Sequence, residues 1–591
     1  MTSSSRPIPS RNRARLSPAL VGALVALAAV LPLLPTLRAA FIYDDTTIIR
    51  DNPLLRGWES LARVWSAPYW PTTGADVSGL YRPLHTAILA ALWNVGDGAA
   101  WPFHVYALAL HAAVSVAVWW MLRRGVGALA AAVGALWFAT HPLHVEAVAS
   151  AANSAELLVV GCTIALTCLL RRASDEGAGH GAGREWRIAL GAAALTAAAV
   201  LSKESGLLAL PIAALTTWGW RASETTRLSD SVRGRRRLWL AAGAALVVAL
   251  MARAVVLGAP VARVSIAAPG LDVLSPVQRI VAMLSLWPRV AQMIVWPGPL
   301  APYYGPTILP ANRGALATLA VLSSLAVATL ALLLARRGDK RPLVALAWGA
   351  LAYLPASNLL TATGQLLADR TLFGATVGAA MALAWAVDRL PRRARVALLL
   401  VAAVAIGRNA LESARYAVTW SSHRTLWEHL VEVSPTEPRG YQLLGIDARE
   451  RGDTARALPL LARAFAMEPR ARRNRFEYGQ VLYATGRHAQ AAQVLAPLLA
   501  NGDVRREAQF VAMYLDAVGR AHGAEAVVTE GASLLRSESA STVALYVGAA
   551  HEQLGRLAAA DSVYGVGLRA APRDSLLLAR RASVERRLAP R

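Results

Sequence analysis

Leu20-Val-Gly-Ala-Leu-Val-Ala-Leu-Ala-Ala-Val-Leu-Pro-Leu-Leu-Pro-Thr-Leu-Arg-Ala-Ala40 is followed at once by Phe41-Ile-Tyr-Asp44-Asp45. The run is long enough to cross a bilayer, which takes roughly 20 apolar residues. It is preceded by Arg6, Arg11, Arg13 and Arg15, and arginine excess marks the cytoplasmic side. Two adjacent aspartates therefore emerge on the outer side of the first span. Carboxylates at a membrane edge are costly unless a site needs them. The pair reads as part of an extracytoplasmic active site, or as a carboxylate helix cap or a calcium-tolerant loop. The run contains proline and no small-x-small site precedes Phe41, so it reads as an uncleaved span rather than a signal peptide.

The rest of the chain extends this reading. Of 591 residues, 55% are hydrophobic, and mean hydropathy is +0.39. A soluble protein of this size is less apolar. The net charge of +24 would suggest nucleic acid in a soluble chain. Here arginines cluster in short loops between apolar runs, so topology accounts for them and no nucleic-acid partner is expected. Cys162 and Cys168 share one apolar run and are poorly placed to pair. Arginine clusters at 123–124, 171–187, 221–237, 336–341 and 389–395 alternate with apolar runs. These give spans at about 18–40, 103–122, 126–141, 150–170, 188–202, 206–220, 238–257, 314–335, 343–357, 371–388 and 396–414. The total is about eleven, with the N-terminus inside and the C-terminus outside. The segment 277–297 carries arginine and proline and reads as interfacial or re-entrant.

From Trp420 onward the runs shorten and amphipathic helical periodicity takes over. Gly445, Gly452, Ala457 and Ala464 are matched by Gly479, Gly486 and Ala491 one repeat later, and again by Gly548, Gly555 and Ala560. A unit around 506–540 is degraded. A period near 34 residues with small residues at these offsets is the tetratricopeptide pattern, whose stacks make concave binding surfaces. The expected fold is all-α: a cytoplasmic tail at 1–16, a polytopic helix bundle at 17–418, and an extracytoplasmic α-solenoid at 419–591.

The candidate chemistry lies in the outer segments. His141-Pro-Leu-His144-Val-Glu146 sits at a hairpin turn; its two histidines and glutamate could hold a divalent cation or cap a helix. Glu156 stands at the outer end of an apolar helix and needs a partner. Lys203-Glu204 occupies another outer tip, and Lys203 is one of only two lysines in the chain. It reads as a surface pair or a point charge for phosphate. Arg82 and Arg370, the latter beside Asp369, run against the positive-inside bias. Each reads as a membrane anchor or as a ligand for an anionic head group.

Phe-Ile-Tyr-Asp-Asp, Tyr81-Arg-Pro-Leu, Phe103-His-Val-Tyr-Ala with His111, Phe138-Ala-Thr-His-Pro-Leu-His-Val-Glu-Ala-Val, Ala155-Glu-Leu-Leu, Lys203-Glu-Ser-Gly, Leu354-Pro-Ala-Ser-Asn-Leu and Ala368-Asp-Arg-Thr-Leu-Phe-Gly-Ala-Thr-Val-Gly follow one another in order. This set resembles the transmembrane and tetratricopeptide-repeat-containing protein O-mannosyltransferase family, in a bacterial version, over about 17–591. Two positions depart from it: Asn153-Ser154 where the family usually has Gly-Arg, and Asp369-Arg370 where it has Glu-Arg. The resemblance implies a C-superfamily (GT-C) membrane half. Such an enzyme moves a sugar, mannose by analogy, from a polyprenyl-phosphate carrier to a hydroxyl of a protein or glycan acceptor outside the cytoplasm. For a bacterial chain that means the inner membrane. The resemblance further implies Asp44 as proton acceptor, with Asp45 holding acceptor or metal or raising its neighbour's pKa by like charge. Arg370, Lys203 and Arg82 are implied at the donor phosphate, with His141, His144, Glu146, Glu156, Glu204 and Asp369 organising the site. The competing reading is a non-catalytic membrane scaffold whose repeats gather periplasmic proteins. It gives the outward acids nothing to do.

Overall fold

The computed structural model describes residues 17–70, 79–175, 182–221, 236–259, 267–500, 508–537 and 539–589. The tail expected at 1–16 and most of the arginine cluster at 221–237 lie outside these. The described residues are helical apart from loops, turns and one isolated antiparallel bridge, Tyr304 to Leu367. The chain divides into two compact units, Met1–Leu426 and Trp427–Arg591.

In the first unit every expected span is a helix. Among the described residues, eight are long and apolar enough to cross a membrane, or nine when the bent pair Ala128–Ala139 and Pro142–Ala149 is counted as one. The helices at the expected spans 206–220 and 343–357 are short, Ala209–Gly219 and Arg341–Tyr353, the latter 13 residues. At about 1.5 Å per residue, 13 residues reach about 20 Å, short of the ~30 Å hydrocarbon thickness. The segment 277–297 forms two short helices, Pro276–Ser285 and Trp287–Val295, the first closed by a Ser275–Gln278 capping box.

Proline shapes the two places that matter most. Ser17 caps the first helix, its Oγ accepting from Leu20 N, and Pro18 fills the first turn, where no amide hydrogen is needed. Pro32 and Pro35 then tighten the chain into 3₁₀ turns over Leu31–Arg38. Pro142 forces His141 into an extended conformation, and the chain bends by 50°. The short helix beyond the bend, Val145–Ala149, is buried throughout. Broken helices at membrane depth are tolerated where they are buried in protein.

The opposite ends of the helices are tied by a buried ionic knot. Arg341 is 1% exposed and donates from Nε to Asp339 Oδ1 (2.8 Å), and from Nη1 to Gly125 O (2.8 Å) and Asp388 Oδ2 (3.0 Å). Arg389 Nε and Trp385 Nε1 also donate to Asp339. The glycines of the Phe-Gly-Ala-Thr-Val-Gly stretch serve packing. A Cβ on Gly378 would lie 2.5 Å from Ala345 O, so only glycine lets these two helices approach so closely.

In the second unit, helices Pro438–Glu450 and Thr454–Met467 pair, as do Arg472–Ala484 and His488–Leu495, and Ala540–Gln553 and Leu557–Ala570. Gly452, Gly486 and Gly555 sit at the turns with φ of +79°, +76° and +73°, the left-handed region that glycine enters freely. In the degraded unit the turn comes at Gly523, φ +81°. That is three residues past the position a 34-residue step predicts, and it follows helix Ala508–His522 of 15 residues.

Candidate active site

The loop after the first span is a packed structure. Phe41, Ile48, Ile49, Leu55, Val64 and Tyr69 form one buried cluster with Leu89, Phe103, Ala151 and Ala152. Phe41 meets Phe103 edge-on at 5.2 Å between ring centroids. Tyr43 takes a left-handed conformation, φ +54°, and its amide donates to His423 Nε2 at 3.0 Å. Non-glycine residues held in such backbone regions cluster at functional sites. Asp44 comes next.

Asp44 Oδ2 lies 3.7 Å from Arg370 Nη2. Arg370 also grips Glu146, through its backbone amide at 2.9 Å and through Nη1. Glu146 is fully buried and Arg370 nearly so. The bend at Pro142 thus delivers Glu146 to the arginine, and the arginine reaches on to Asp44. Asp369 is fixed from two sides, accepting from Tyr304 OH at 2.6 Å and Tyr416 OH at 3.2 Å.

Asp45 is fully buried and does different work. Its Oδ1 accepts from Ser150 Oγ (2.9 Å) and Ala152 N (2.9 Å), and its Oδ2 from Ala151 N (3.0 Å). Burial outweighs these three donors and pushes its carboxyl up to about 7. The acceptor capacity that the structure shows for Asp45 goes to the 150–152 loop, which Tyr69 OH also holds through Ala152 O at 2.9 Å.

A second charged cluster adjoins. The Arg82 guanidinium lies over the Tyr69 ring at 4.7 Å and donates to Glu204 Oε2 from Nε (3.0 Å) and Nη2 (2.7 Å). Arg253 Nη1 reaches Glu204 Oε1 at 3.2 Å. Burial would raise the Glu204 carboxyl, but Arg82 and then Arg253 hold it down to about 2. Lys203 pairs with Glu156. Burial lowers the Lys203 pKa, Glu156 opposes that, and the positive fields of Arg82 and Arg370 add to it. Lys203 thus stands between the two arginines electrostatically.

His141 and His144 do not converge with Glu146. His141 Nε2 is 2.9 Å from Ile294 O, and His144 Nε2 is 2.9 Å from Thr376 Oγ1. His144 packs between Phe138 and Phe373, with centroids 4.5 Å away on each side. Among the described residues no group of three or more His, Cys, Asp or Glu could hold a metal ion. The two histidines line the bend, and Glu146 pairs with Arg370.

Sequence reasoning missed Arg253, Tyr304, Tyr416 and His423. Arg253 carried a readable signal, a single arginine inside an apolar run. The tyrosines and His423 carried none. Asn358, in the Leu-Pro-Ala-Ser-Asn-Leu stretch, shapes the loop leading to Asp369. It is fully buried with φ +57°, accepting from Thr363 N at 2.6 Å and donating to Gln365 O at 2.9 Å.

Comparison with known proteins bears on both units. A tetratricopeptide repeat model matches residues 448–511. The chain is 36% identical over 188 residues to the Drosophila melanogaster protein O-mannosyl-transferase Tmtc2, covering 31% of this chain and 20% of that one. It is 30% identical over 190 residues to human protein O-mannosyl-transferase TMTC2, covering 31% and 22%. The match to mouse protein O-mannosyl-transferase TMTC3 is longer, 23% identical over 459 residues, 73% of this chain and half of the relative. The chain is a homologue of the transmembrane and tetratricopeptide-repeat-containing protein O-mannosyltransferases. Its matches span between a fifth and a half of the length of these relatives.

Proposed function

We propose that the first unit is a membrane glycosyltransferase that moves a sugar from a polyprenyl-phosphate carrier to a hydroxyl of a protein or glycan, outside the cytoplasm. The observation that carries this is Arg370. A buried cation is anchored to one carboxylate, Glu146, and extends towards a second, Asp44, at 3.7 Å. Asp44 accepts the proton of the attacking hydroxyl. The hydroxyl oxygen bonds to the anomeric carbon as the bond from that carbon to the phosphate oxygen breaks, and the electron pair leaves with the lipid phosphate. Arg370, with Lys203 and Arg82, offsets the negative charge that develops there. Asp45 takes the part of a positioning residue, fastening the strained Tyr43–Asp44 turn to the 150–152 loop. Glu146, Glu204 and Glu156 keep the cations in place while the site is empty of anion.

The charge map supports the orientation. Arg82, Arg253 and Arg370 at the site are engaged by carboxylates, whereas Arg123, Arg124, Arg172, Arg336 and Arg337 crowd the other ends of the spans, the pattern of a cytoplasmic face. The repeat unit binds or presents the acceptor. Purified protein in lipid nanodiscs, given a radiolabelled polyprenyl-phosphate sugar and acceptor, should transfer label and release lipid phosphate in equal amounts. Absence of both across hexose donors would leave the scaffold role instead.

A further inference from the structure

Arg253 stands four residues before the end of helix Arg236–Leu257. Its neighbours Val247, Val248, Met251 and Val255 expose apolar surface, Val255 by 85%. The Arg253 side chain is only 9% exposed. It turns inward, donating from Nη1 to Glu204 Oε1 and from Nη2 to Gly79 O at 2.5 Å. Glu204 therefore serves two arginines, one on each oxygen. Arg82 holds Oε2 through Nε and Nη2, the guanidinium edge that matches a phosphate with two parallel bonds.

A phosphate can take that edge only by displacing Glu204. A half-buried carboxylate, 25% exposed, opposes the exchange when it is stripped of its one partner. A carboxylate with a second arginine already in place does not. Resting on the glycosyltransferase reading above, we propose that Arg253 is a positioning residue for the lipid-linked donor: it retains Glu204 when the donor phosphate takes Arg82. Arg253 then sets donor affinity without touching the reacting atoms. The charge balance favours the exchange, since Arg82, Arg253 and Lys203 carry one positive charge more than Glu204 and Glu156.

The test uses the full chain in nanodiscs, with polyprenyl monophosphate as binding probe and the polyprenyl-phosphate sugar as substrate. Arg253→Gln should weaken monophosphate binding and raise the donor KM about tenfold, the scale of one charged hydrogen bond. The acceptor KM should stay unchanged, and Arg253→Lys should recover most of the loss. A folded Arg253→Gln variant with wild-type donor KM overturns the inference. So does an equal loss in kcat and both KM values that lysine fails to rescue. Should Arg253→Gln fail to fold, the Glu204→Gln background removes the carboxylate that needs retaining. There, adding Arg253→Gln should leave the donor KM where Glu204→Gln alone puts it, and a further rise would place Arg253 on the phosphate itself, against the proposal. A wild-type protein that neither binds nor transfers would overturn the glycosyltransferase reading; an active wild type indifferent to Arg253→Gln overturns this inference alone.

Discussion

Glu146 and Arg370 are 224 positions apart and meet as a buried pair. Removing Glu146 leaves Arg370 with Asp44, at 3.7 Å, as its remaining counter-ion, so the cost is about 3 kcal/mol, the lower end for a broken buried pair. Glu146→Gln should therefore lower the stability of the membrane unit by that order and abolish transfer, read by thermal unfolding and by activity together. An activity loss with unchanged stability would mean that Glu146 touches substrate instead. The individual charges were legible because a membrane makes every outer-face charge informative: Asp44, Glu146, Lys203, Arg82 and Arg370 stand out in an apolar chain. Their pairing was not legible. Nothing local tells that Glu146 serves Arg370 rather than a metal with His141 and His144. The bend at Pro142 decides that, and its direction comes from packing against Phe138, Phe373 and Thr376. The partners of Asp45 were not legible for the same reason. Asp45 reads as the twin of Asp44, yet it is bound to a loop more than a hundred residues away.

At the scale of elements, the turn carrying Lys203 and Glu204 is held by charge. Glu204 has a folded pKa of about 2 against an ordinary 4.5. A depressed folded value means stability that is present above 4.5 and lost as pH falls towards 2. The melting-temperature gap between wild type and Glu204→Gln should therefore be constant above about pH 5 and close across that window. A gap that persists at the acid end would show that packing, not charge, holds the turn. In the repeat unit, a Cβ at Gly445 would stand 2.7 Å from Leu461 Cγ. Gly445→Val should cost about 1–3 kcal/mol by overpacking, seen as a lower unfolding midpoint. Gly452→Ala should cost less, about 1 kcal/mol, through its left-handed φ alone. These glycines were readable because spacing near 34 leaves few alternatives. The ends of the membrane helices were not. Alanine-rich runs give weak edges, so Ala209–Gly219 and Arg341–Tyr353 are shorter than the expected spans 206–220 and 343–357 and shifted from their edges.

For the whole molecule, the proposed orientation rests on arginine placement, and the site can meet an extracytoplasmic acceptor only if that orientation holds. A reporter active only outside the cytoplasm should work when fused after Arg591 and stay silent after Arg172; the reverse pattern would move the site to the wrong face. Fold class and the two-part organisation were legible from hydropathy and repeat spacing, since both are long-range regularities. The most direct measurement of the central claim is sugar transfer from a polyprenyl-phosphate donor by Asp44→Asn, beside Asp51→Asn. Asp51 is exposed, follows in the same loop, and pairs with its neighbour Arg50. The account predicts that Asp44→Asn retains donor binding and loses transfer by about a hundredfold or more, the contribution of a general base, while Asp51→Asn matches wild type. Undiminished transfer by a folded Asp44→Asn protein would contradict it.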